Sequence, residues 1–475
     1  MNRAMKWILG LLVLAVLLLI GIYKFSDSAQ RKTRIAVMDR VGEAAKNRMV
    51  QSGAASEGSV AAEFINIPIM ARELAPGLFQ ATGVGNAQII KTEAGNIVFD
   101  TGLSTQAARQ IKVLEPHIGS QPPSHIIVSH SHADHSGGVK LWRGADTQII
   151  AHQDFTEEQR YLTELQPYFW NRNRTLFPFM PPYPPTMDLI AYGGIEPDRT
   201  VRNGQPLSLS HGGVDIELHA LPGAEGADNL VLWMPDQKIL LSGDFFGPLF
   251  PQFPNVFTMR GEKIRKPVEY IQSLETIIAL DPDMIVPSHK DPITGKAVIR
   301  EGLVKMRDAT RYVHDAVIAG MNAGKTQDQL MAEIQLPPEL ALTQEHGRVS
   351  WAVKSIWEYY ATWFHFDKTT ELYPREAGAF ESDIYDLVNA QGLIARAKRH
   401  VDNNRPVQAL DLLDIVSGAG QDDAESLSVR VDALNQLLAA AKAGHKNSYE
   451  IYWLNYRLRD TREKLSALGP ESPNE

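Results

Sequence analysis

The chain has 475 residues, 44% of them hydrophobic and 22% charged, with a formal net charge of −9. That is an ordinary globular composition for two or three domains, and the acidic balance argues against general nucleic-acid binding, which needs a basic face. There is no cysteine, so disulfides, thiolate metal sites and cysteine nucleophiles are excluded, and any soft-metal site must be built from His, Asp and Glu.

Arg3 and Lys6 precede an uncharged apolar run, Trp7–Tyr23 (WILGLLVLAVLLLIGIY). Its length falls at the lower end of the roughly 17–25 residues that span a bilayer as a helix. We read residues 1–25 as a transmembrane signal anchor in preference to a cleaved signal, because Ser26-Asp27-Ser28 makes a poor cleavage site. The bulk of the protein is then expected outside the cytoplasm, on the periplasmic side, or secreted or periplasmic if the segment is cleaved. Residues 26–62 are polar and rich in Ala, Gly and Ser, and read as a linker with a short helix.

Across residues 63–298 short apolar runs alternate with Gly/Pro punctuation. Ala87–Lys91, Asn96–Phe99, His125–Ser129, Thr147–Ala151, Asp215–Ala220, Leu230–Met234, Lys238–Ser242 and Met284–Val286 read as strands. Thr105–Glu115 and Pro267–Leu280 read as helices between them, so the region is an α/β layered domain. Phe177–Pro185 (FPFMPPYPP) is too rich in proline for regular structure and reads as an extended aromatic loop. From residue 299 to 468 helical patterns take over: Glu301–Ala323, Val349–Phe366, Ala390–Asn403, Pro406–Ser417, Ala424–Ala443 and Glu450–Ala467. Residues 469–475 are expected to be a disordered tail.

His130, His132, Asp134 and His135 crowd into Ser129–His135 (SHSHADH), just after an expected strand, and Gly137-Gly138 follows. Alternate histidines where a strand gives way to a loop can converge on one cation, while Asp134 and His135 face a second. Nitrogen and oxygen donors of this kind suit zinc. The bland alternative, a chance cluster among the 14 histidines, has little weight at this spacing.

This cluster resembles the HxHxDH motif of the metallo-β-lactamase superfamily. Asn96–Gly102 (NIVFDTG), Leu240–Asp244 (LLSGD) and Ile285–His289 (IVPSH) resemble, in order, the other strand ends of that fold. The resemblance implies an αββα sandwich, here followed by an all-α domain. Where most members offer a histidine in a Pro-Gly-His segment, Leu221–Gly226 reads LPGAEG, so Glu225 is the available ligand and His219 the runner-up. A glutamate there looks like the alkylsulfatase branch. Asn255–Gly261 (NVFTMRG) is similar to that branch's sulfate-holding segment, and Val349–Pro374 and Tyr449–Leu465 are similar to its helical dimerisation domain. Two departures stand out: Asp244 where alkylsulfatases usually have glutamate, and no sterol-carrier-like third domain before the chain stops.

Carried over position by position, the resemblance implies two zinc ions. One is held by His130, His132 and Glu225, the other by Asp134, His135 and His289, with Asp244 bridging and a hydroxide between the metals. Asp134 and Asp244 are the candidate catalytic carboxylates, and Asp100 would buttress a ligand histidine. Arg260 is the candidate sulfate-binding residue. Asn171, in Asn171–Arg174 (NRNR), is a second candidate substrate contact, weighed against a plain charged surface turn. The implied activity is hydrolysis of alkyl sulfate esters by a homodimer. Two alternatives remain: another hydrolase of the fold acting on lactones, thioesters or β-lactams, and a non-enzymatic membrane-tethered scaffold.

Overall fold

The computed structural model describes residues 27–51, 66–366, 368–388 and 390–468. The apolar run Trp7–Tyr23 and the expected tail lie outside these residues. Among the described residues no helix is long and apolar enough to cross a membrane.

The chain forms two compact units, the first from the residues up to Trp170 with Phe179–Arg311, the second from Asn171–Pro178 with Tyr312 onward. The first unit holds two sheets. One has seven strands in sequential order: β1 (Ala71–Ala75), β2 (Leu78–Ala81), β3 (Ala87–Ile90), β4 (Ile97–Phe99), β5 (His125–Ile127), β6 (Gln148–His152) and β7 (Arg199–Val201). The other contains β8 (Leu207–His211), β9 (Val214–Ala220), β10 (Leu230–Met234), β11 (Ile239–Gly243), β12 (Met284–Pro287) and β13 (Ile293–Thr294), ordered β13-β12-β11-β10-β9-β8. Most pairs are antiparallel, but β4 to β7 run parallel, as do β11 and β12.

Alternation of side chains along each strand builds the layers. Ile97, Phe99, Ile127 and Ile150 face the second sheet and meet Leu218, Leu230, Leu232, Leu241 and Val286. Val98, Ile126, Val128 and Ile149 face the opposite way, against Ala107, Ala108, Ile111 and Leu114 of the helix Ser104–Ile118. Strands buried on both faces read as unbroken apolar runs, which is why they stood out in the sequence. On the far side of the second sheet the helix Pro267–Leu280 packs Tyr270 in a stack on Phe245, and its Ser273 Oγ donates to Pro222 O. Helix, sheet, sheet, helix is the expected αββα sandwich.

The expected linker with a short helix is corrected over Asp27–Gln51, which forms one 25-residue helix docked on the sandwich. Met38 and Ile35 join the core, and Arg31 Nε donates to Leu141 O at 3.1 Å. The polar composition concealed this because only a narrow stripe of the helix is buried. The strands β1, β2, β7, β8 and the two-residue β13 went unread; ARELA and LSLSH, for instance, carry little apolar signal. The NRNR run is helical, within Gln166–Leu176, and is not a turn.

The second unit is all helical. Leu393, Ala397 and Val401 of Ala390–Asp402 interlock with Ala409, Leu413 and Val416 of Pro406–Gly418 and with Val429 and Ala433 of Ala424–Ala443, at the i, i+4, i+7/8 spacing of facing helices. Asp423 and Ser426 form a reciprocal capping box at the start of Ala424–Ala443, and Asn447 caps Ser448–Ala467 through Glu450 N. The helix expected to run to Phe366 stops at Ala361, where Thr362 takes a left-handed φ of 64°.

Candidate metal centre

The centre assembles where β4, β5, β11 and β12 end, on the loops that follow their carboxyl ends. Neighbouring parallel strands release their chains on the same edge of a sheet, so residues far apart in sequence arrive together. β4 delivers Asp100, β5 delivers Ser129 to His135, β11 delivers Asp244 and β12 delivers Ser288 and His289. Glu225 comes from the loop after β9. Close packing needs glycine at Gly243: its φ is +54°, and a Cβ there would lie 2.5 Å from Ser129 Cβ.

Three sets of side-chain donor atoms, each within 4.8 Å of one another, converge here: His130, His135 and Asp244; Asp134, His135 and His289; His132, Glu225 and Asp244. Asp244 and His135 each belong to two of them. His289 Nε2 lies 2.9 Å from Asp244 Oδ1 and 3.5 Å from Asp134 Oδ2, and His130 Nε2 lies 2.8 Å from His132 Nδ1. Buried His135 Nε2 has no hydrogen-bond partner, although buried polar atoms are nearly always satisfied. Neutral imidazoles and carboxylates, crowded and partly orphaned, fit divalent cations of zinc type.

The outward-facing ring nitrogens are anchored. Asp100, fully buried, accepts from Ser129 N at 2.8 Å, Ser129 Oγ at 2.9 Å and Ser288 Oγ at 2.6 Å, and its Oδ2 lies 2.9 Å from His135 Nδ1. Ser129 Oγ is also 3.0 Å from His130 Nδ1. A serine hydroxyl that donates to Asp100 must accept from His130 Nδ1–H, so one carboxylate sets the tautomer of two histidines, directly and by relay. His289 Nδ1 is held 2.5 Å from Val84 O.

Electrostatics follow from burial and crowding. Burial, with His132 and His135 alongside, holds the His130 imidazole well below its usual range. His135 is buried too, but Asp134, Asp100 and Asp244 outweigh desolvation and raise it well above that range. Asp134 and Asp244 are both held low despite burial, chiefly by His135 and His289. An imidazole must be deprotonated to ligate a cation, so metal uptake at His135 and His289 would be coupled to proton release.

Arg260 lies at the rim, a quarter exposed, with Nη2 at 3.4 Å from Glu225 Oε2 and 3.0 Å from Glu262 Oε1. Glu262 and Arg265 were not singled out in the sequence. Arg265 Nη2 lies 2.9 Å from both Glu225 Oε2 and Glu262 Oε2, and its Nη1 donates to Asn255 O at 2.6 Å. Glu262 Oε1 is also 3.2 Å from His132 Nε2. Burial pushes the Glu262 carboxyl up, but Arg260, His132 and Arg265 overcome it and hold it well below the ordinary carboxylate range. Asp228 was missed as well; burial, then the charge of Glu158, pushes it up to about 7. The dense alternation of charge in Arg260–Lys266 was the available signal for the first two. His219, the runner-up ligand, instead turns Nε2 to Glu217 at 3.2 Å. Asn171 is exposed on the helix Gln166–Leu176, in the segment belonging to the second unit, so the cluster is drawn entirely from the first.

An αββα sandwich with His and Asp donors gathered at these strand ends defines a metallo-beta-lactamase domain, and residues 81–289 match the model of the metallo-beta-lactamase superfamily. Residues 326–457 match the model for alkyl sulfatase dimerisation, and the two domains together place the chain in the alkylsulfatase-like branch of that superfamily. A linear primary-alkylsulfatase of Pseudomonas sp. is 30% identical over 301 residues, covering 59% of this chain and 56% of that protein. The alkyl/aryl-sulfatase BDS1 of Saccharomyces cerevisiae is 24% identical over 408 residues, covering 79% of this chain and 62% of its own length. The chain thus spans about three fifths of these relatives. Among solved structures, the stereoselective inverting sec-alkylsulfatase Pisa1 from Pseudomonas sp. shares the fold with a TM-score of 0.69 at 19% identity, over 82% of this chain and 66% of that one.

Proposed function

We propose that the protein is a dinuclear zinc hydrolase of alkyl sulfate esters, acting as a homodimer outside the cytoplasm. The observation that carries the substrate class is Glu225. It stands among the metal donors where most of the superfamily has histidine, and it contacts Arg260, a guanidinium at the rim suited to sulfate oxygens.

His130, His132 and Glu225 would hold one ion, Asp134, His135 and His289 the other, with Asp244 shared. Such a pair of cations supplies a water-derived nucleophile at neutral pH and offsets charge on the leaving oxygen. The chain's own contribution is placement. Asp100, Ser129 and Val84 O fix the imidazoles, Asp134 and Asp244 stay ionised, and Arg260 orients the anionic head of the substrate. The likeness to the alkylsulfatases named above supports an alkyl sulfate; Asp244 in place of glutamate favours a second reading, a lactone, thioester or β-lactam hydrolase.

Dimerisation through the helical unit is supported by the matched dimerisation model and by Trp363 and Phe366, 74% and 87% exposed. The placement outside the cytoplasm rests on the apolar run Trp7–Tyr23.

The test is the zinc-loaded full chain offered dodecyl sulfate beside a panel of lactones, thioesters and β-lactams. Sulfate release from dodecyl sulfate is expected, with a KM raised about tenfold or more in Arg260→Ala. Turnover confined to the panel would establish the second reading, and a chain that takes up no metal would leave only a scaffold.

A further inference from the structure

Glu225, Arg265, Glu262 and Arg260 close a ring of alternating charge. Arg265 Nη2 bridges the two carboxylates at 2.9 Å each, and Arg260 Nη2 bridges them at 3.4 and 3.0 Å. Arg265 and Glu225 are almost fully buried, so the pairing is screened little by solvent. The ring carries no net charge. One of its carboxylates, Glu225, is a candidate ligand; the other, Glu262, reaches a candidate ligand from outside. The His132 ring turns Nδ1 to His130 Nε2, toward the shared metal position, and Nε2 to Glu262 Oε1 at 3.2 Å. That is the arrangement by which a carboxylate fixes the tautomer and plane of a ligand imidazole.

We propose that Glu262 is a positioning residue with two tasks: it orients His132 toward the metal, and it competes with the incoming sulfate group for Arg260. The inference rests on the reading of the site as a zinc sulfatase and adds a coupling to it. An anion that takes Arg260 must draw it away from Glu262, which is the same group that holds a metal ligand. Metal affinity and anion affinity are therefore set against each other at this residue. Removing its charge leaves the ring with a surplus positive charge, which strengthens anion binding, and deprives His132 of its anchor, which weakens metal binding.

The experiment compares the full-length wild type with Glu262→Gln and Glu262→Asp. Zinc affinity is measured by competition with a chromophoric chelator, and anion affinity by inhibition of dodecyl sulfate turnover with inorganic sulfate at saturating zinc. In Glu262→Gln zinc affinity should fall about tenfold, while sulfate inhibition tightens several-fold and KM falls with it. Glu262→Asp keeps the charge on a shorter arm, so zinc affinity should fall several-fold with sulfate inhibition within about twofold of wild type. The opposite signs in Glu262→Gln are what a merely structural role would not produce. A loss of both affinities together, or no change in either, overturns the proposal, and if Glu262→Gln fails to fold, an unaltered zinc affinity in Glu262→Asp overturns it. A wild type that takes up no zinc or does not release sulfate overturns the functional reading and this one with it, which a failure confined to the variants does not.

Discussion

Asp100 offers the sharpest perturbation of the centre, because it touches no expected metal position yet governs histidines on both sides. Its Oδ2 faces Ser129 Oγ, Ser288 Oγ and His135 Nδ1, and its Oδ1 accepts from Ser129 N. Asp100→Ala leaves these donors buried without an acceptor, each worth about 1–3 kcal/mol if unrelieved. Water entering the vacated space will satisfy some of them, so a net loss of about 3 kcal/mol is expected. At roughly 2–4 °C per kcal/mol for a domain of this size, Tm should drop by about 6–12 °C. His135 loses its anchor directly and His130 through Ser129, and losses of this kind typically cost about 10–100-fold in metal affinity, or roughly 1.4–2.8 kcal/mol. Asp100→Asn separates charge from shape. The amide keeps an acceptor for Ser129 N but sets an NH₂ group against donors at the other position, so it should fail to rescue zinc affinity although it is nearly isosteric. Thermal melts of the metal-free protein and chelator competition for zinc read the two effects separately. A folded Asp100→Asn variant with zinc affinity within about twofold of wild type would refute the argument that this carboxylate sets the tautomers.

Arg265→Ala and Arg260→Ala should differ in kind. Removing buried Arg265 takes the more buried of two counter-charges from Glu225 and Glu262 and should cost about 3 kcal/mol of stability, whereas the quarter-exposed Arg260 should chiefly raise KM for dodecyl sulfate, by about tenfold or more, with a small change in Tm; calorimetry and steady-state kinetics distinguish them. Gly243→Ala puts a Cβ into Ser129 at a φ that disfavours side chains, so Asp244 should shift and zinc stoichiometry fall, read by elemental analysis after dialysis. Zinc affinity should weaken steadily as pH is lowered, because the histidine donors must give up their protons to bind, and a pH-independent dissociation constant between pH 5 and 8 would contradict the donor set. Trp363→Ser with Phe366→Ser should shift the chain from dimer to monomer in light scattering while leaving zinc affinity unchanged.

How much of this could be read beforehand divides along a physical line. The strands beside the centre were legible because burial on both faces writes an apolar run into the sequence. The His130–His135 cluster was legible because chain spacing alone brings its members together. Asp100, Asp244 and His289 each follow a short strand, and it was the resemblance of those strand ends to family motifs that pointed to them. The N-terminal helix was misjudged because a narrow buried stripe, Arg31, Ile35 and Met38, is hard to see within a polar segment. Glu262 and Arg265 were unreadable for a different reason. Their meaning lies in which charges they meet, and those partners come from the β9 loop and from the β5 loop. A run of mixed charge reads as a solvated turn until its burial is known. Here the burial reverses the reading: charges that would be worth little at the surface become costly to leave unmatched, so the loop Asn255–Lys266 must pair with Glu225 and His132 or fail to pack. The charge ring around Glu225 is thus held by the least periodic segment of the site, and the proposed role of Arg260 as a sulfate contact must be tested together with the carboxylates it already holds.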